Sequence, residues 1–285
     1  MNDSWMTDSG RVLYKQVKSD DRLKTPLVDR EESTMEDALH STVNALQGKS
    51  VGVVGSCKST VEEQYLLNRL AKEAKAKKYL RGHFGEDDGI LLSADRTPNL
   101  RGALITGLAS SYPTEHLGSL AQALKKNQLE TLIVVGEDLI DSKVDAELLS
   151  GVQIIYLGTH ENATSKLAQV VIPTLTSFEK SGSFVNRGFF LQGFPQAVPG
   201  PAGLLPDISI LARLINELTG EGESSADIDS IWKDMARSST SPLKGLSFSD
   251  FKKEGLQLDG SKWADLAFVE KKALHYQPNA KPKGG

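Results

Sequence analysis

Residues 170–194, VVIPTLTSFEKSGSFVNRGFFLQGF, decide how this chain folds. Val170-Val171-Ile172 is an apolar run suited to a strand buried on both faces, and Pro173 stops it because proline cannot donate a ladder hydrogen bond. Beyond it the sequence predicts a loop. Phe178, Phe184, Phe189, Phe190 and Phe194 are five of the nine phenylalanines, interleaved with Gly182, Gly188 and Gly193. Aromatic rings between glycines suit a loop packed against protein rather than one standing in water.

Upstream, apolar runs alternate with helical patterns. Residues 131–136 and 152–158 read as buried strands, and residues 117–127, 144–149 and 163–169 as the helices before, between and after them. Residues 31–46 form a helix with Met35, Leu39, Val43 and Leu46 on one stripe, capped by Ser33 or Thr34 and ended by Gly48. Next comes SVGVVGS, residues 50–56, a buried strand entering a small-residue turn. Residues 60–78 continue as a helix with Thr60 as its cap, Glu62 and Glu63 in the first turn where the dipole favours acids, and Tyr65, Leu66, Leu67, Leu70 and Ala74 on its apolar face. Alternation of this kind predicts an α/β chain with a parallel sheet covered on both faces. Residues 195–206 form a Pro/Gly-rich connector, 207–218 a helix, 219–227 a polar linker and about 228–235 a further short helix. The parts expected are an N-terminal loop or β segment at 1–30, an α/β body at 31–175, a Phe/Gly-rich loop with helices at 176–240 and an extended tail at 241–285.

Composition excludes several classes. The formal charge of −4 with scattered basic residues leaves no footprint for nucleic acid. No apolar stretch reaches the roughly 20 residues that cross a bilayer, and residues 1–5 lack the basic and apolar regions of a signal peptide, so the chain reads as cytoplasmic. Cys57 is the single cysteine, whereas an iron-sulfur cluster takes about four thiolates. His40, His83, His116, His160 and His275 show no paired spacing and read as surface or capping residues. The turn GSCKST before the second helix has the strand, turn and helix of a phosphate cradle but neither G-x-G-x-x-G nor a P-loop ending. Cys57 lies in that turn without a catalytic partner in sequence and reads as inert. Gly136-Glu137-Asp138 and Gly158-Thr159-His160 fall at strand ends, where α/β proteins place ligands, but acids there repel phosphate. Glu86-Asp87-Asp88 lacks the alternating spacing of a calcium loop and reads as a solvated turn.

Four stretches carry a family resemblance. FEKSGSFVNRGFFLQ, residues 178–192, resembles the E-K-x-G-(S/T)-F-x-N-x-E-G-R-x-Q segment of the molybdopterin oxidoreductase superfamily, above all that of the large iron-sulfur subunit of NADH-quinone oxidoreductase, respiratory complex I. Glu179, Lys180, Gly182, Ser183, Phe184, Asn186 and Gln192 match, while Gly188, Phe189 and Phe190 stand where the family reads Glu-Gly-Arg. Residues 94–103 are similar to A-D-(K/R)-T-P-N-x-x-G-A, through Ala94, Asp95, Arg96, Thr97, Pro98, Asn99, Gly102 and Ala103. At the N-terminus Gly10, Arg11, Arg22, Pro26 and Leu27 keep a family pattern of C-x-K-G-R followed by R-(L/I)-x-x-P-(L/M), with Thr7 at the position of the last cluster cysteine and Ser9 at that of a lysine. Residues 243–258 again resemble the large complex I subunit.

The resemblance implies parallel-sheet, Rossmann-like layers of the molybdopterin-oxidoreductase type with irregular N- and C-terminal extensions. It also implies a non-catalytic structural subunit of a complex I-type enzyme, with no catalytic, cofactor-binding or metal residue of its own. Iron-sulfur clusters, FMN and NADH are then expected in partner subunits, chiefly a ferredoxin-like iron-sulfur subunit of a complex peripheral to the inner membrane. Trp5, Arg11 and the phenylalanine-rich loop are the expected interfacial residues. Two alternatives stand beside this reading: a truncated oxidoreductase binding a pterin or nucleotide through Gly55-Ser56 and Asn186, or the same scaffold in an electron-bifurcating hydrogenase or formate dehydrogenase.

Overall fold

A computed structural model describes residues 8–86, 93–222, 224–238 and 242–264. Trp5, Thr7, Asp87, Asp88, His275 and the tail 265–285 lie outside the described residues. In chain order the elements are α1 (Asp8–Arg11), a 3-10 turn (Leu13–Lys18), β1 (Leu27–Val28), β2 (Glu31–Glu32), α2 (Met35–Leu46), β3 (Val51–Ser56), α3 (Val61–Glu73), β4 (Lys77–Arg81), α4 (Leu100–Ile105) and α5 (His116–Lys125). The chain continues through β5 (Thr131–Val135), α6 (Ala146–Ser150), β6 (Gln153–Gly158), β7 (Val170–Pro173), β8 (Gly182–Val185), β9 (Phe190–Phe194), α7 (Asp207–Thr219), α8 (Ile228–Ser238) and β10 (Leu256–Gln257).

Seven strands form one mainly parallel sheet in the order β2-β1-β7-β6-β5-β3-β4, with β1 and β2 antiparallel at one edge. Because side chains alternate across a strand, each central strand feeds two cores. Ile133 and Val135 of β5, with Ile155 and Leu157 of β6, face α2, α3 and α7, while Leu132, Val134, Ile154 and Tyr156 face α5 and α6. Burying each of these large side chains contributes about 2 kcal/mol, which is why these strands read as unbroken apolar runs. From β3 the chain turns outward to β4, then crosses back to β5 on the other side of β3. That reversal opens a crevice at the carboxyl ends of β3 and β5.

Helix α3 is buried almost all round, by the sheet on one side and by α7, α8 and β8 on the others. Its start is as the sequence predicts: Thr60 and Glu63 form a reciprocal capping box. Its end is not. The expected helix over 60–78 stops at Glu73, and 77–81 becomes β4, paired in parallel with β3 from Gly52↔Lys77 to Ser56↔Arg81. AKAKK favours helix by propensity, but a full parallel ladder at the sheet edge outweighs that preference. Thr34 caps α2 by accepting from Asp37 N, and Glu31–Glu32 forms β2 rather than the first helical turn.

Two further expectations are corrected. The helix over 163–169 shrinks to a 3-10 turn at Ser165–Leu167, because Gln169 exchanges backbone and side-chain bonds with Ile154 and is drawn into the sheet. The loop after Pro173 is only partly a loop. Gly182–Val185 and Phe190–Phe194 pair antiparallel as β8 and β9, and β10 adds a third strand along Leu191 and Phe190. Helix α4 has no counterpart among the helices expected from the sequence. No helix among the described residues is long and apolar enough to cross a membrane.

Candidate functional site

The crevice at the carboxyl ends of the sheet strands is a cleft of about 150 Å3 lined by Ser56, Lys58, Gly136, Thr159, Thr176 and Lys180 among others. Two of the lining residues, Ser56 and Lys58, reach the adjacent Glu137, whose side chain is 2 % exposed. Ser56 Oγ donates to Glu137 Oε1, His83 Nε2 lies 2.9 Å from Oε2, and Lys58 Nζ is 3.6 Å from the same oxygen. Asp138, next along, organises its own loop. Burial works to raise its carboxyl, but backbone N–H groups of Asp141, Ala163 and Ile140 and the Thr164 hydroxyl outweigh that and hold it below the usual range.

At the far wall stands Lys180, with Asp207 Oδ2 at 2.7 Å and Glu63 Oε1 at 2.6 Å, all three nearly buried. Burial alone would lower the ammonium's pKa; the two carboxylates reverse this and raise it above its ordinary value. Two acids face one cation, so burial, with Asp207 adding repulsion, pushes Glu63 up to about 7 despite Lys180. Beside it Arg22 is buried against Glu179 at 2.6 Å and also donates to Thr159 O. Glu179 in turn accepts from the Thr176 N–H and hydroxyl.

A second polar knot surrounds the start of α3. Glu62 is fully buried and accepts from Trp232 Nε1 at 2.7 Å, Ser183 Oγ at 2.8 Å and Ser183 N at 3.0 Å, tying α8 and β8 to the body. Burial raises its carboxyl, and these donors oppose the rise. Asn99, also fully buried, donates to Ser59 O and Gln64 Oε1 and accepts from Val185 N. Gln64 completes the circuit by donating to Ser56 O and Asn99 O.

The residues singled out in sequence therefore meet, mostly as structural glue. Glu179, Lys180, Ser183 and Asn99 each hold two or more segments together. Asn186 closes the β8–β9 turn, its Oδ1 accepting from Gly188 N and Phe190 N. Gly55 is squeezed between Leu67 and Leu108, so the Gly55-Ser56 turn serves packing and the Glu137 contact. The Cys57 thiol is pushed up by burial, with Asp95 and Glu137 adding to it, and is not an activated nucleophile. The five phenylalanines are half-buried, and three of them are engaged within the chain: Phe184 stacks on Phe194 and Phe189 on Trp263. Arg11 is exposed. No group of three His, Cys, Asp or Glu side chains among the described residues is placed to hold a metal. In sequence Glu62 and Glu63 are first-turn acids and nothing more; their burial shows only when β8 and α8 close over them, and no local pattern signals that.

Chemically the cleft offers paired charges. Lys58 and Lys180 both face carboxylates, so a phosphorylated ligand entering there would compete with Glu137, Glu63 and Asp207 for every lysine it met.

Residues 32–217 match the family described as Molybdopterin oxidoreductase. Among curated relatives, the F420-dependent formate dehydrogenase 2 subunit alpha of Methanococcus maripaludis is 31% identical over 146 residues, covering 48% of this chain and 20% of that protein. The putative formate dehydrogenase YrhE of Bacillus subtilis is 32% identical over 133 residues, 44% of this chain and 13% of that protein. The chain thus spans a fifth or less of the length of these relatives. Acetylene hydratase from Pelobacter acetylenicus overlays on 50% of this chain and 20% of its own, with a TM-score of 0.38 at 13% identity.

Proposed function

The chain belongs to the molybdopterin oxidoreductase family, and from that premise we propose that it is a non-catalytic structural subunit of a redox complex of the NADH-quinone oxidoreductase type. In this reading its body packs on a separate iron-sulfur subunit, with the clusters, FMN and NADH all held by partners, in a cytoplasmic assembly peripheral to the inner membrane. Covering clusters with packed protein keeps water from them, which helps set their potential and limits side reactions.

The observation that carries the proposal is the commitment of Lys180. The family motif's cation is held between Glu63 and Asp207, 2.6 and 2.7 Å away, inside the protein. A pterin cofactor carries phosphate and wants free cations and amide donors at its cleft; the donor set here does not fit it. The resemblance of the 94–103, 178–192 and 243–258 stretches to the large iron-sulfur subunit of complex I supports the choice of parent complex.

A formate dehydrogenase assembly is the second reading, and the two curated relatives, both formate dehydrogenases by name, favour it. Purifying the tagged chain from its native cells and identifying what remains bound tests both. A cysteine-rich iron-sulfur protein in equal amount, together with NADH-oxidising subunits, is the expected result. A chain that purifies alone in mild detergent and low salt contradicts the proposal, and companions belonging to a formate-oxidising enzyme select the second reading.

A further inference from the structure

Four large hydrophobic side chains are strongly exposed among the described residues, and three of them are consecutive: Val12 at 46%, Leu13 at 42% and Tyr14 at 61%. They open the 3-10 turn Leu13–Lys18, which has no buried residue at all. Yet this arm is held to the body at its root. His160 Nε2 contacts Gln16 O at 2.9 Å, Glu161 N donates to Asp21 O at 2.8 Å, and Leu23 N donates to Thr159 O at 3.0 Å. The arm's Gln16 lines the cleft at the sheet edge. Arg11, Lys15 and Lys18 flank the apolar trio, on a chain whose formal charge is −4.

We propose that the Val12-Leu13-Tyr14 face is the docking surface for the iron-sulfur partner, received there by an apolar depression with an acidic rim. This rests on the function proposed above and adds where the partner binds and what chemistry it presents. An exposed tyrosine with an exposed arginine three residues before it has the composition of interface centres, and an anchored arm loses little freedom on binding. The three cations draw an acidic surface to the face and repel a basic one. A membrane surface is the weaker match, because segments that lie in a membrane interface are amphipathic helices of several turns, and this 3-10 turn is six residues long. A partner seated here also overlies the mouth of the cleft through Gln16.

Two double variants of the full chain, Leu13→Ser with Tyr14→Ser and Lys15→Glu with Lys18→Glu, test this against wild type in the native complex. Because the turn buries nothing, thermal unfolding of both variants should match wild type. The amount of iron-sulfur subunit retained per chain, and its affinity once purified, should fall about tenfold or more in each. The affinity of wild type should weaken with salt, and that of the charge variant should not. Variants that hold the partner as wild type does overturn the surface and leave the proposed function standing. A wild-type chain that retains no iron-sulfur protein overturns both. Self-association, or binding to phosphatidylserine vesicles, that disappears in the same variants while partner retention is unchanged assigns the face to a second copy or a membrane and overturns the inference.

Discussion

Asn99 shows how one side chain can hold a fold. Its amide spans the turn after β3, the α3 residue Gln64 and the backbone of β8, and it is wholly buried. Asn99→Ala strands the Val185 N–H and the Ser59 carbonyl away from water, so we expect a loss of about 3 kcal/mol in urea unfolding; a loss below about 1 kcal/mol would contradict this role. Glu63 gives a pH signature. Its folded pKa of about 7 lies above the ordinary 4.5, so between those values the native state holds a proton that the unfolded chain has released. That contribution is complete below 4.5 and is lost as pH rises through about 7. Glu63→Gln keeps the capping box in a form that also accepts glutamine and should flatten the decline in urea midpoint between pH 5 and 8. Equal slopes in wild type and variant would rule this out. Asn99 and Lys180 were legible in the sequence as motif members. Their duties were not, because a motif gives residue types, whereas partners such as Asp207 and Val185 arrive from distant segments.

At the scale of elements, the β8–β9 turn and the segment after β10 meet at Phe189. Phe189 has φ +59, a left-handed conformation costly for a phenylalanine, and stands where the family motif carries glycine. Its ring stacks on Trp263 at 5.5 Å, and its carbonyl accepts from Leu258 N at 2.9 Å. The stack offsets the backbone strain and fastens the C-terminal segment. Phe189→Gly removes both, so global stability should change by no more than about 1 kcal/mol. Tryptic cleavage at Lys262, however, should accelerate about tenfold as that segment comes free. Unchanged cleavage would show that the stack fastens nothing. Capped helices and the central strands were readable because caps and apolar runs are local signals. Strand β4 was not: its lysines are edge residues, and its Leu80 N–H is matched by His116 Nδ1 from another element. Strands β8 and β9 were hidden by glycines and aromatics that read equally as loop.

For the whole molecule, the doubly covered sheet and the knot around α3 make one body of the family domain and the helices after it. Glu62 reaches Trp232 of α8, and Trp232 packs on Phe251 at 4.6 Å, so the C-terminal region is tied to the sheet's central helix. On the function proposed above, the molecule has kept a redox enzyme's architecture while its cleft cations answer the protein's own carboxylates. The deciding experiment is to assay metal and pterin in the chain, purified without oxygen and then separated from its companions. We expect iron with the partner and neither molybdenum, tungsten nor pterin with this chain; about one molybdenum or tungsten per chain, with bound pterin, would contradict the proposed function.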